Sequence, residues 1–179
     1  MLVVALDLRL LRLPYSGRKG LGQGGMSGGL TPDPRVAIFV DGENVSSSHA
    51  AAIRKAAQGR VVICRTYGDA TKMNGWREAA GFSVVHSGSG NNSADILLAV
   101  DALELALEAR FDTCVLATSD GGLRHLAVRL RERGMTVTGV GEAKAPKALQ
   151  ASFSSFRAVG ASKAKKPNLA NPASDKRPS

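Results

Sequence analysis

The feature that most constrains this chain is an alternation of short, unbroken apolar runs with longer stretches of helical character. The runs "RVAIFV" (35–40), "VVICRTY" (61–67), "FSVVHS" (82–87), "TCVLAT" (113–118) and "MTVTGVG" (135–141) are too apolar to face water on one side. Between them lie "SSSHAAAIRKAAQGR" with Gly59 as a stop, "KMNGWREAAG" closed by Gly81, "NSADILLAVDALELALEAR" and "GLRHLAVRLRERG". In the third of these, Ile96, Val100, Leu103 and Leu107 repeat at i, i+4, i+7 and i+11, which predicts an inward apolar stripe, and Ser93 is placed to cap its start. Residues 146–152 suggest a last short helix before "FRAV". Buried strands separated by helices specify an α/β fold, a mainly parallel sheet of about five strands covered on both faces.

In such a sheet, ligands bind beyond the carboxyl ends of the strands, where strand order reverses. Asp41 directly follows the first run, Asp120 follows the fourth after Thr118 and Ser119, and Asp95 opens the long helix after the third. All three are expected at one edge. Each also fits a plainer role: a turn aspartate before Gly42, a complement to a helix dipole, and a cap ahead of Gly121 and Gly122. Asp101 lies about 120° round the helix from Asp95 and suits a surface ion pair as well as a site. Glu43 and Asp69 read as turn residues and His86 as structural.

Carboxylates that converge repel one another, and a divalent cation relieves this. Hard oxygen donors suit Mg²⁺ or Mn²⁺, whose chemistry at such edges is phosphodiester hydrolysis. No GxGxxG or GxxxxGK[ST] follows any strand, which argues against a phosphate-cradling nucleotide site.

The formal charge of +9 is uneven. Residues 1–34 carry 4 basic and 2 acidic groups, residues 35–160 carry 15 and 12, and residues 161–179 carry 5 and 1. The central part is therefore only mildly basic, which permits a polyanionic partner without requiring one. Residues 15–34 are rich in Gly, Ser and Pro, so 1–34 is expected to be a flexible extension, with Met26 a candidate functional start. Residues 161–179 are expected to be a basic disordered tail. The apolar start is interrupted by Asp7, Arg9 and Arg12 and is too short to span a bilayer. With Cys64 and Cys114 both inside apolar runs, the chain reads as soluble and cytoplasmic, with free thiols and no membrane partner.

The blocks "VAIFVDGENV", "TYGD", "GNNSADILLAVDAL", "CVLATSDGGLRHLAVRLRERGMTVTGVGE" and "ALQASFSSF" stand in an order and spacing that resemble the NYN domain family of the PIN-like ribonucleases. The bacterial branch formerly grouped as a domain of unknown function looks closest, and the likeness spans about residues 35–159 of a domain expected over 35–160. It implies a Rossmann-like (PIN-like) three-layer fold and a metal-dependent RNA endonuclease. Asp41, Asp95 and Asp120 match the family's acids, Asp101 its second acid along the helix, and Asn44 the polar residue after the first strand.

Two departures stand out. Gly122 occupies the place of an acid in the family's "SDSDF" loop, and Asn91 the place of a lysine before the long helix. The loss bears hardest on a second metal or on the positioning of water. The expectation is an endoribonuclease using Mg²⁺ or Mn²⁺ at Asp41, Asp95 and Asp120, with Asp101 as a further ligand. Asn44 and Ser119 would orient substrate or water. Arg124 would contact RNA phosphates, aided by Arg129, Arg131 and Arg133. The alternative is a catalytically weakened domain that binds RNA or a protein partner, and a homodimer is left open.

Overall fold

The computed structural model describes residues 32–160. The flexible extension expected over 1–34 falls, except for its last three residues, outside the described residues, as does the whole basic tail. Strands β1 (Arg35–Asp41), β2 (Arg60–Gly68), β3 (Ser83–His86), β4 (Thr113–Ala117), β5 (Thr136–Glu142) and β6 (Ser155–Val159) form one sheet in the order β3-β2-β1-β4-β5-β6. Every pairing is parallel. Five helices connect them: α1 (Ala50–Ala56), α2 (Asn74–Glu78), α3 (Ser93–Leu107), α4 (Arg124–Glu132) and α5 (Lys147–Ser152).

The unbroken apolar runs follow from burial on both faces. Ala37 and Phe39 of β1 and Cys114 and Leu116 of β4 pack beneath α3, α4 and α5. Val36, Ile38 and Val40, with Val115 and Ala117, face α1, α2 and the residues around Met73 and Trp76. Phe39 is fully buried, its ring edge-on to Phe111 at 5.6 Å, and truncation there to alanine is expected to cost about 3–5 kcal/mol. β2 carries one residue more than its partner needs. Val36 pairs with Val61 but Ala37 with Ile63, leaving Val62 out of register.

Three expectations are corrected. The sheet has six strands, because "SFRAV" pairs with β5; as a half-exposed edge strand it lacks the continuous apolar run of the others. The apolar stripe assigned to α3 lies on the wrong side. Ile96, Val100 and Leu107 are 61%, 57% and 63% exposed, and Leu103 is only partly buried. The buried face is Ala94, Leu98, Ala102, Leu105 and Ala106. α3 is apolar nearly all round, and the side bearing alanines is the one that can approach a sheet already filled by Phe39 and Phe111. Nor does Ser93 cap α3: Asn92 holds the cap position, and the Ser93 hydroxyl donates back to the Gly90 carbonyl at 2.8 Å. No helix among the described residues is long and apolar enough to cross a membrane.

Candidate active site

Strand order reverses between β1 and β4, and the last rung joining them is Val40 to Ala117. Just beyond it stand Asp41 and Thr118, both buried. Thr118 Oγ1 donates to Asp41 Oδ2 at 2.9 Å and accepts the Asp120 amide at 3.0 Å, so one hydroxyl fixes the spacing of both acidic loops. Asn44 completes the hold on Asp41, its amide donating to Oδ1 at 3.2 Å and its Nδ2 to Oδ2 at 2.8 Å. Burial raises the Asp41 pKa, and the bonds from Asn44 and Thr118 oppose that rise. Gly42 makes the turn feasible: a Cβ there would lie 2.3 Å from Met73 Cε and 2.6 Å from Thr66 Cγ2.

Asp120 performs the capping role and faces the acids as well. Its Oδ1 accepts the Gly122 amide at 2.7 Å, opening a 3-10 turn over Gly121–Leu123 that leads into α4. Asp95, in the first turn of α3, has a buried Oδ1 with no hydrogen-bond partner. Its pKa is raised to about 6, first by burial, then by the charges of Asp41, Asp120 and Glu43.

Glu43, read from sequence as a turn residue, acts on this group as a fourth carboxylate. Its Oε1 also accepts the Asp69 amide at 3.1 Å, which joins the loops after β1 and β2. Thr118 is the other residue that sequence reasoning passed over; a threonine directly behind a buried strand, between two acids, was the signal available.

Other expected site residues lie apart from the acids or are engaged elsewhere. Asp101 sits about 9 Å farther along the axis of α3 than Asp95. There its Oδ2 takes the Arg65 guanidinium at 2.5 Å and the Tyr67 hydroxyl, binding helix to β2, so in this structure Asp101 is engaged in an ion pair away from the other acids. Ser119 Oγ accepts the Glu142 amide at 3.0 Å and ties its loop to β5. Arg129 pairs with Glu132, and Arg131 donates to the Ser152 carbonyl. Arg124 is exposed beside His125, with no carboxylate partner among the described residues. Asp69 makes a turn through Thr71, and His86 Nδ1 accepts the Ala70 amide. Both cysteines are free, and burial pushes each thiol up, Cys64 to about 11.

The donor set suits a hard divalent cation: all oxygen, with an unpartnered Asp95 Oδ1 and neighbouring acids whose charges disfavour its ionisation. The acids do not stand as a finished cage. Among the described residues, no three His, Cys, Asp or Glu side chains are grouped tightly enough to hold a metal ion as they lie.

Comparison with solved structures finds a likeness to a protein of unknown function from Vibrio parahaemolyticus, 23% identical, with a TM-score of 0.61 over 73% of this chain and 95% of that one. At that identity the likeness concerns the fold. No curated protein matches. Residues 35–160 match the family model described as NYN domain. The match begins at the first residue of β1 and ends just past β6, so the whole folded unit is accounted for, and the chain belongs to the NYN domain family of the PIN-like nuclease superfamily.

Proposed function

We propose that this domain is an endoribonuclease that hydrolyses RNA phosphodiester bonds with Mg²⁺ or Mn²⁺ held by Asp41, Asp95 and Asp120. The observation that carries this reading is Asp95, whose pKa is raised to about 6 among three other acids at the point where strand order reverses. A bound cation would neutralise these charges, polarise a phosphoryl oxygen and acidify a water.

The chain's own part begins with rigidity. Asp41, held by Asn44 and Thr118, cannot swing away, so it sets the fixed point of the site. Asp95 must be ionised to hold the cation, so affinity should rise with pH through about 6. Asn44 serves by orienting Asp41, and Ser119 by orienting the Asp120 loop against β5. Single-stranded RNA incubated with the purified chain, with Mn²⁺ or with EDTA, tests the reading. Cleavage that persists in EDTA, or a rate unchanged by Asp120→Asn, would remove it.

A second reading, RNA binding without cleavage, is favoured by Gly122, which leaves the Asp120 loop one acid short, and by the open spacing of the acids. A Cβ at Gly122 would meet only Asp120 Oδ1, at 3.3 Å, and Asp120 Cγ, at 3.9 Å, so Gly122→Asp can be accommodated by a small side-chain shift. Cleavage gained in that variant, and absent without it, would establish the second reading.

A further inference from the structure

Glu43 has a second face. It also borders a cleft of about 390 Å³, lined by Lys72, Ser89, Gly90, Asn91 and Asn92 as well, a size within the usual range of small-ligand sites. The lining is almost wholly polar, and because Asn92 caps α3, whose first turn carries Asp95, the cleft adjoins the acids.

Its single cation is Lys72, presented by the loop after β2. The root of that side chain is fixed: the Lys72 amide donates to the Asp69 carbonyl at 2.9 Å, in the turn that Asp69 makes with Thr71. The head is free. Nζ lies 3.3 Å from Asp69 Oδ2, but the side chain is 76% exposed, and an ion pair so solvated holds weakly. Across the cleft, Asn92 adopts a left-handed backbone (φ 57°) at the start of α3 and makes no capping bond with its side chain. Asn91 beside it is exposed. The cleft therefore offers one exposed, weakly paired positive charge and neutral amide donors, and Glu43 is the only acid in its lining.

We propose that this cleft is a phosphate subsite for a single RNA strand whose scissile bond lies at the acids. Lys72 supplies the charge that contacts a neighbouring phosphate, and the Asn91 and Asn92 amides supply uncharged hydrogen bonds. The direction follows: the strand crosses the carboxyl edge from β4 and β1 toward β2 and β3. This assignment rests on the endoribonuclease reading for its substrate, but binding and cutting can be measured apart.

The test is fluorescence anisotropy of a labelled oligouridine 12-mer with the full chain in EDTA, across a salt series, for the wild type, Lys72→Ala and Lys72→Arg. One phosphate contact to a single strand contributes about 0.7 to the slope of log affinity against log salt. Lys72→Ala should flatten the slope by about that amount and weaken binding roughly 3–10-fold near 0.1 M salt, whereas Lys72→Arg should keep the wild-type slope. With Mn²⁺ present, Lys72→Ala should raise KM and leave kcat within about twofold, as expected for loss of uniform binding.

An unchanged slope in Lys72→Ala, or equal damage from Lys72→Arg, would overturn the subsite. Displacement of the 12-mer by micromolar uridine monophosphate would overturn it in favour of a free-nucleotide site. The two readings separate cleanly. Cleavage with an unaltered Lys72→Ala slope leaves the nuclease without this subsite, and a flattened slope without cleavage leaves the subsite without the nuclease.

Discussion

Replacing Asp95 with asparagine should make this protein more stable at neutral pH while removing its response to Mn²⁺. The carboxyl's pKa rises from the ordinary 3.8 to about 6 on folding. A shift of about two units, at 1.36 kcal/mol each, sets a ceiling of about 3 kcal/mol on the destabilisation caused by its ionisation. Because the group is only half-buried, solvent screening brings this to about 1.5 kcal/mol, or about 5 °C in melting temperature.

The sign is fixed by proton counting. Between about pH 4 and pH 6 the folded chain holds a proton that the unfolded chain has released, so wild-type stability falls as pH rises through that window and is level above it. The Asp95→Asn variant keeps the shape without the titration. Urea unfolding in EDTA, followed through the single buried Trp76, should show the variant ahead by about 1.5 kcal/mol at pH 7 and level with wild type near pH 4. Added Mn²⁺ should then stabilise only the wild type. A difference that is the same at both pH values, or a variant weaker at pH 7, would refute the electrostatic account of this site.

Glu43→Gln should lower the Asp95 pKa toward its ordinary value, read as an earlier carboxyl titration by NMR, since one of the charges acting on it is gone. Asp101→Asn should cost about 1–3 kcal/mol by leaving Arg65 and Tyr67 short of their partner, with the Mn²⁺-induced rise in melting temperature intact. Gly42→Ala should cost about 1–3 kcal/mol in urea unfolding, because the added carbon meets Thr66 and Met73.

The central strands and the helices between them were legible because a parallel sheet buried on both faces leaves apolar runs that little else produces. β6 was not, since an edge strand exposes half its residues and its pairing to β5 is a long-range fact. The orientation of α3 was misread for a related reason: when a helix is apolar all round, periodicity cannot say which side the sheet takes, and side-chain volume decides.

At the candidate site, position relative to the strands was enough to single out Asp41, Asp95 and Asp120 as candidates. What sequence could not show was whether their side chains point together. It also could not show that Thr118 links two loops 77 residues apart, or that Glu43 turns back toward Asp95. Asp101 shows the converse. Its place along the helix matched a family acid, yet Arg65 and Tyr67, from a strand well before it in the chain, had already claimed it.

The unpaired Val62 bears on which lengths of chain this architecture tolerates. Without it, Val61 and Ile63 would face Val36 and Ala37 in an unbroken ladder, and everything downstream, Arg65 and Tyr67 included, would keep its present facing. β1 has no such slack. Each residue from Val36 to Val40 is paired on both sides, and losing one would turn the rest of the strand inside out. Natural or engineered deletions should therefore survive at the start of β2 and fail in the strand that carries Asp41.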